Sequence, residues 1–212
     1  MDSVHSDGQH PSLRSAGHRP DRPGSFVSLK IVVAGGFGVG KTTFVGSVSE
    51  IRPLRTEEEL TEAGRPVDNL DGVERKSTTT VAMDFGRITF RDGLSLYLFG
   101  TPGQDRFWFL WDELVSGALG AAVLADTRRL EDCFPAVDYF ERRGIPFVVA
   151  VNCFPGYHAY PAEEVRSALD LDPGTPVVQC DARDSESSKG VLIALVEHAG
   201  RIYRADQEGG SS

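Results

Sequence analysis

No stretch of this chain approaches the ~18 consecutive apolar residues of a membrane span. Cysteine is scarce: Cys133, Cys153 and Cys180 are odd in number, widely spaced and form no C-x-x-C pair. That excludes a disulfide framework and reads as reduced thiols near the core of a cytosolic protein. Basic charge is the minority sign, with 22 Lys and Arg against 31 Asp and Glu and a net charge of −9. Without a Lys/Arg cluster to offset it, that balance argues against a nucleic-acid partner. Met1-Asp2-Ser3-Val4 shows neither a signal-peptide pattern nor a glycine at position 2, and Gln207 to Ser212 offers no prenylatable cysteine. No direct membrane anchor is therefore expected, and any membrane recruitment runs through partners. His5, His10 and His18 are irregularly spaced and lack acidic or thiol company, so they do not read as a metal site.

What is present is ordinary in amount and specific in pattern. The 212 residues, 40% apolar and 25% charged, fit one α/β domain with a full core. Its centre is Gly35-Gly36-Phe37-Gly38-Val39-Gly40-Lys41-Thr42, a G-x-x-x-x-G-K-[ST] match. Before it, Leu29 to Ala34 reads as a buried strand, and after it Thr43 to Val48 continues as a helix, the context the motif requires. The loop's glycines let backbone N–H groups converge on phosphate oxygens, and the helix N-terminus adds partial positive charge. Gly35, Gly38, Val39, Gly40, Lys41, Thr42 and Thr43 are thus expected to cradle a nucleoside triphosphate. Lys41 is placed to reach the β- and γ-phosphates and the Thr42 hydroxyl to ligate Mg²⁺.

Taken in order, residues 1–25 read as a disordered tail, 26–204 as the domain and 205–212 as a second disordered tail. The first helix is expected to end near Glu50, ahead of Pro53. Ile51 to Ser77 reads as a long polar loop in which Thr56 to Leu60 starts a short helix. Val81 to Phe90 and Leu94 to Phe99 around Arg91-Asp92-Gly93 form a hairpin signal. Strands at 121–125, 146–151 and 176–180 then alternate with helices at 130–143, 162–169 and 187–204. The expected fold is an α/β P-loop NTPase: a six-stranded, mostly parallel sheet with one antiparallel edge strand and helices on both faces. Its ligand belongs beyond the carboxyl ends of the strands.

Three further features fall at those ends. Thr78-Thr79-Thr80 closes the long loop, where a threonine can reach Mg²⁺ and the γ-phosphate; the plain alternative is a threonine run favoured by β structure. In Gly100-Thr101-Pro102-Gly103-Gln104, the Gly103 N–H can meet the γ-phosphate and Gln104 can orient an attacking water; the alternative is a simple Pro-Gly turn. Asn152 and the Cys180-Asp181-Ala182 segment end neighbouring strands beside the base. Phe107-Trp108-Phe109-Leu110-Trp111 is too dense for every ring to face one core, so at least one of Trp108 and Trp111 is expected to be exposed or to cover a partner.

With these residues in view, positions 28–204 resemble a Ras-like small GTPase. The pattern is similar to the conservon-type (CvnD-like) GTPases of actinobacteria, relatives of the MglA polarity GTPases. It is carried by the phosphate loop, Ser77 to Arg87, Leu98 to Phe107, Asp126 to Leu130 and Cys133-Phe134. The resemblance implies a GTP/GDP switch with Mg²⁺, slow intrinsic hydrolysis, and a roadblock-domain protein and a sensor-kinase-like protein as partners. It implies Thr80 as the switch threonine and second metal ligand beside Thr42. It places Gly103 and Gln104 in the second switch, Asn152 at the first position of N-K-x-D, and Ala182 as a backbone donor to the base. The implied catalytic residues are Gln104 and Lys41.

Three positions depart from that family. Gly100 stands where small GTPases carry an aspartate that holds water on Mg²⁺, which predicts weaker metal affinity. Pro155 replaces the aspartate of N-K-x-D, a loss of about 1.5–3 kcal/mol of charged acceptor and of much guanine discrimination. Cys153 removes the lysine stem that packs over the base. Arg75 is either a cis-acting arginine for hydrolysis or a solvated loop residue. A P-loop kinase fits less well, because no Arg-rich lid appears late in the chain. A nucleotide-locked scaffold without turnover is the other alternative.

Overall fold

The computed structural model describes residues 27–61, 78–90, 93–103 and 109–209, with only the backbone described for 55–61 and 78–82. The expected N-terminal tail, Arg75, Gln104 and Trp108 lie outside the described residues.

Strand β1 (Val27–Ala34) leads into helix α1 (Lys41–Val48), then β2 (Leu54–Thr61), β3 (Thr78–Thr89) and β4 (Leu94–Gly100). Helix α2 (Trp111–Val115), β5 (Gly120–Ala125), α3 (Phe134–Arg143), β6 (Phe147–Asn152), α4 (Ala162–Ala168), β7 (Val177–Cys180) and α5 (Ser185–Gly209) complete the chain. Leu130–Cys133 forms a 3₁₀ turn ahead of α3, so the expected single helix divides there.

The strands make one sheet in the order β2-β3-β4-β1-β5-β6-β7. β1 pairs in parallel with β4 and β5, and β5-β6 and β6-β7 are also parallel. β3 runs antiparallel to β4, as the hairpin signal predicts. The expected strands are present, and a seventh, β2, is added at the antiparallel edge. It takes up eight residues of the stretch read as loop, of which 62–77 lie outside the described residues, and the helix expected at Thr56 to Leu60 is instead strand. The β-favouring residues Thr78 to Val81 offer a ladder that Glu58 to Thr61 joins, with Glu59 opposite Thr80. Because β4 ends opposite Asp84, residues 78–83 of β3 pair only with β2 and project past the sheet's carboxyl edge.

Side-chain alternation along β1 feeds two cores. Ile31 and Val33 pack with Phe44, Val45, Leu192 and Leu195 beneath α1 and α5. Val32 and Ala34 pack with Trp111, Val137, Phe140 and Val165 beneath α2, α3 and α4. Trp111 is buried, edge-on to Tyr139 at 5.1 Å between centroids, which removes it as an exposed aromatic. Helix α5 continues to Gly209, past the expected end at Arg204, because nothing between Ala205 and Glu208 breaks a helix. Among the described residues no helix is long and apolar enough to cross a membrane. With its neighbours on either side reached by connections in opposite directions, β1 is the switch point of the sheet, and the loop after it faces the crevice.

Candidate phosphate-binding site

The loop leaving β1 bends through Gly35, Gly38 and Gly40 at φ of 130°, 73° and 111°, values that side-chain-bearing residues rarely adopt. α1 starts at Lys41 with no side-chain cap, so the N–H groups of its first turn are left to an external acceptor. The donor set and the open helix end fit a bound phosphate chain. An open cleft of about 610 Å³ runs beside Thr42, Thr43, Gly46, Arg52 and Pro53. That volume is in the range of small-molecule sites, ≈ 300–1,000 Å³.

Lys41 is 8% exposed, and its Nζ donates to the carbonyls of Gly35 at 2.7 Å and Gly36 at 2.8 Å. Burial lowers its pKa to about 8, partly opposed by the negative charge of Asp84. The turn after β4 touches this lysine. A Cβ built on Gly103 would lie 2.7 Å from Lys41 Nζ and 3.0 Å from Phe37 Cα, so a side chain there would displace the ammonium and press on the loop backbone. Beside it Thr101 is buried, with a hydroxyl that has no partner among the described residues.

On the other flank, Asn152 at the end of β6 is a brace. Its Nδ2 donates to Val39 O at 2.8 Å, and its Oδ1 accepts from the Ala182 N–H at 3.1 Å. It therefore ties the phosphate loop to the β7–α5 connection. The Ala182 amide, expected to meet the base, is engaged inside the protein here, because the Asn152 carbonyl lies within reach of it.

Among the described residues no three His, Cys, Asp or Glu side chains are grouped to hold a metal. The arrangement at Thr42 is of a different kind: its hydroxyl donates to Asp84 Oδ2 at 2.5 Å, which leaves oxygen lone pairs for a cation completed by phosphate oxygens. Thr80 is not brought there. Four residues from Asp84 along an extended strand is roughly 13 Å, and its backbone sits in the β2–β3 ladder.

Sequence reasoning missed Arg129. It follows β5 and donates from Nη2 to Phe37 O at 3.2 Å, with Asp132 at 3.5 Å. Its neighbour Arg128 clasps Asp126 at 2.7 and 2.6 Å and lies 3.8 Å over the Phe154 ring. The Arg128 hydrogen bonds hold the Asp126 carboxyl below the usual carboxylate range. Adjacent arginines after a buried strand were the available signal, but only the fold shows which one reaches the loop.

A family model described as conserved hypothetical ATP binding protein matches residues 33–202. The uncharacterized protein MJ1339 of Methanocaldococcus jannaschii is 29% identical over 126 residues, which are 58% of this chain and 69% of that protein. Among solved structures, the G domain of the T. maritima FeoB iron transporter is similar at TM-score 0.58 and 19% identity, over 82% of this chain and 99% of that one. The FeoB G-domain from Methanococcus jannaschii gives TM-score 0.55 and 13% identity, over 82% and 98%. The T. maritima FeoB cytosolic domain in a GDP form gives TM-score 0.59 and 18% identity, over 83% of this chain. This chain spans 65% of that domain, less than two thirds. At such identities the likeness shows the fold, a P-loop domain of the G-domain kind.

Proposed function

The chain belongs to the family of conserved hypothetical ATP-binding proteins, and on that premise we propose that it is a purine-nucleotide switch, with GTP and GDP as its ligands and slow hydrolysis between them. The observation that carries this reading is the contact of Gly103 with Lys41 and Phe37. A γ-phosphate drawing on Lys41 and the loop N–H groups must be felt at Gly103, the end of the described turn after β4, which couples its presence and loss to that segment. In this reading Lys41 and the α1 N-terminus neutralise the phosphates, and Thr42 would hold a Mg²⁺ that would offset more of their negative charge. Gln104 orients the attacking water. Arg129, already on the loop, takes the cis-arginine place that the sequence offered to Arg75.

The FeoB domain of the same fold in a GDP form supports guanine as the base. Pro155 supports a second reading, a domain with relaxed purine choice or a nucleotide-bound scaffold without turnover. The conservon-type assignment, and with it a roadblock-domain and a sensor-kinase-like partner in bacterial signalling, is part of the same proposal and rests on the motif resemblance. Competitive displacement of a fluorescent GDP analogue by GTP, ATP and XTP separates the readings. A large preference for GTP supports the guanine switch; equal competition overturns it in favour of relaxed purine binding. Single-turnover phosphate release distinguishes the switch from the scaffold.

A further inference from the structure

Gly100 removes the carboxylate that P-loop NTPases place at the end of this strand to hold Mg²⁺ with the loop Ser or Thr. The sheet register puts Asp84 directly opposite Gly100 in the antiparallel β3–β4 pair. A Cβ built on Gly100 would lie 3.1 Å from Asp84 Cβ and 3.4 Å from Asp84 Oδ2. One side chain fits in that space, and Asp84 occupies it. From there its Oδ2 accepts the proton of the Thr42 hydroxyl at 2.5 Å. A carboxylate in that position orients the metal-facing lone pairs of the threonine and adds negative charge beside the cation.

We propose that Asp84 supplies the magnesium-site carboxylate missing at Gly100, so that the acidic group has moved across one strand pair while keeping its partner Thr42. The inference rests on the nucleotide-binding reading. It reverses the weaker metal affinity expected from Gly100 alone. It also accounts for glycine at position 100: a Cβ there would crowd Asp84 at 3.1 Å and press it away from Thr42.

The opposing effects of Asp84 with and without metal give the test. With Mg²⁺ bound, the carboxylate holds the cation; with Mg²⁺ removed, it faces phosphate oxygens of the same sign. Release of the fluorescent GDP analogue from the full chain is measured in EDTA and in excess Mg²⁺ for the wild type, for Asp84→Asn, and for the exchanged pair Asp84→Gly with Gly100→Asp. Electron paramagnetic resonance of Mn²⁺ on the GDP-loaded chain reads the metal directly. Expected for Asp84→Asn are metal binding weaker by about 10–100-fold and slower analogue release in EDTA than from the wild type. The exchanged pair is expected to recover metal binding. An Asp84→Asn chain that keeps wild-type Mn²⁺ affinity overturns the proposal. So does one that releases the analogue faster in EDTA, because a merely structural aspartate would weaken both states together. If Asp84→Asn does not fold, the exchanged pair decides: recovered Mn²⁺ binding supports the transfer and its absence overturns it. A wild type that never binds the analogue, with or without metal, overturns the nucleotide reading itself, an outcome distinct from every result in which nucleotide binds and the metal effect is unchanged.

Discussion

Raising the pH from 8 to 10.5 should stabilise the ligand-free protein through one residue, Lys41. Its ammonium is held away from water with the Gly35 and Gly36 carbonyls as its hydrogen-bond partners among the described residues, and burial, partly opposed by Asp84, lowers its pKa from 10.5 to about 8. Below pH 8 the lysine is protonated in both states, and the folded chain carries a cation it hydrates poorly. Between pH 8 and 10.5 the unfolded chain binds more protons than the folded one, so stability rises with pH through that window. The gap between 10.5 and about 8, at about 1.36 kcal/mol per pKa unit, amounts to about 3 kcal/mol. The thiols act in the opposite sense: burial pushes Cys133 from 9.0 up to about 12 and raises Cys180, so the folded chain keeps protons that the unfolded chain loses. The quantity to measure is therefore the difference between wild type and Lys41→Met, from urea unfolding at pH 7.5, 9 and 10.5 without nucleotide. Wild type should gain on Lys41→Met by about 2–3 kcal/mol across the series. Nucleotide affinity should move the other way, since phosphates need the ammonium: the wild-type Kd for GDP should weaken above pH 8, with proton uptake on binding detectable by calorimetry in two buffers. A stability difference that is flat or falls with pH would refute the burial reasoning.

Two other substitutions test the frame around the phosphates. Asn152→Ala leaves the Val39 carbonyl and the Ala182 N–H without their brace; unfolding by urea should show a loss of about 2–4 kcal/mol, and a loss under about 1 kcal/mol would mean that water replaces the side chain. Arg129→Ala removes the cation that reaches Phe37 O; the single-turnover rate of GTP hydrolysis should fall by about tenfold or more with little change in GDP affinity, and an unchanged rate would return the cis-arginine role to Arg75 or to a partner.

Much of the frame was legible because burial and periodicity coincide. β5 and, up to Val151, β6 are continuous apolar runs, and both strands are buried along their whole length, as strands covered on both faces must be. The phosphate loop was legible because glycine spacing, strand and helix all point to one backbone shape. β2 was not, because Leu54–Thr61 carries three consecutive glutamates and no apolar alternation. Its strand state comes from pairing with β3, a contact that local propensity does not contain. The sequence left open which of Trp108 and Trp111 turns inward for a related reason: the aromatic run gives no phase, and the packing of α2 against Tyr139 and Phe140 is what buries Trp111.

Gly100 and Asp84 show the limit most clearly. In the sequence they are sixteen positions apart, and the family resemblance marks Gly100 as a missing carboxylate while Asp84 only falls inside the matching stretch Ser77 to Arg87. In the sheet they are cross-strand partners, with room between them for a single side chain. A motif position specifies where a charge must be, whereas a strand pair offers two backbones from which the same point can be reached. Loss of an acidic residue from one strand is then compatible with an intact metal site whenever its partner strand presents a carboxylate at the paired residue and the vacated position is small. Both conditions hold here, and the 2.5 Å contact of Asp84 with Thr42 places its carboxylate on the hydroxyl proposed to ligate the metal.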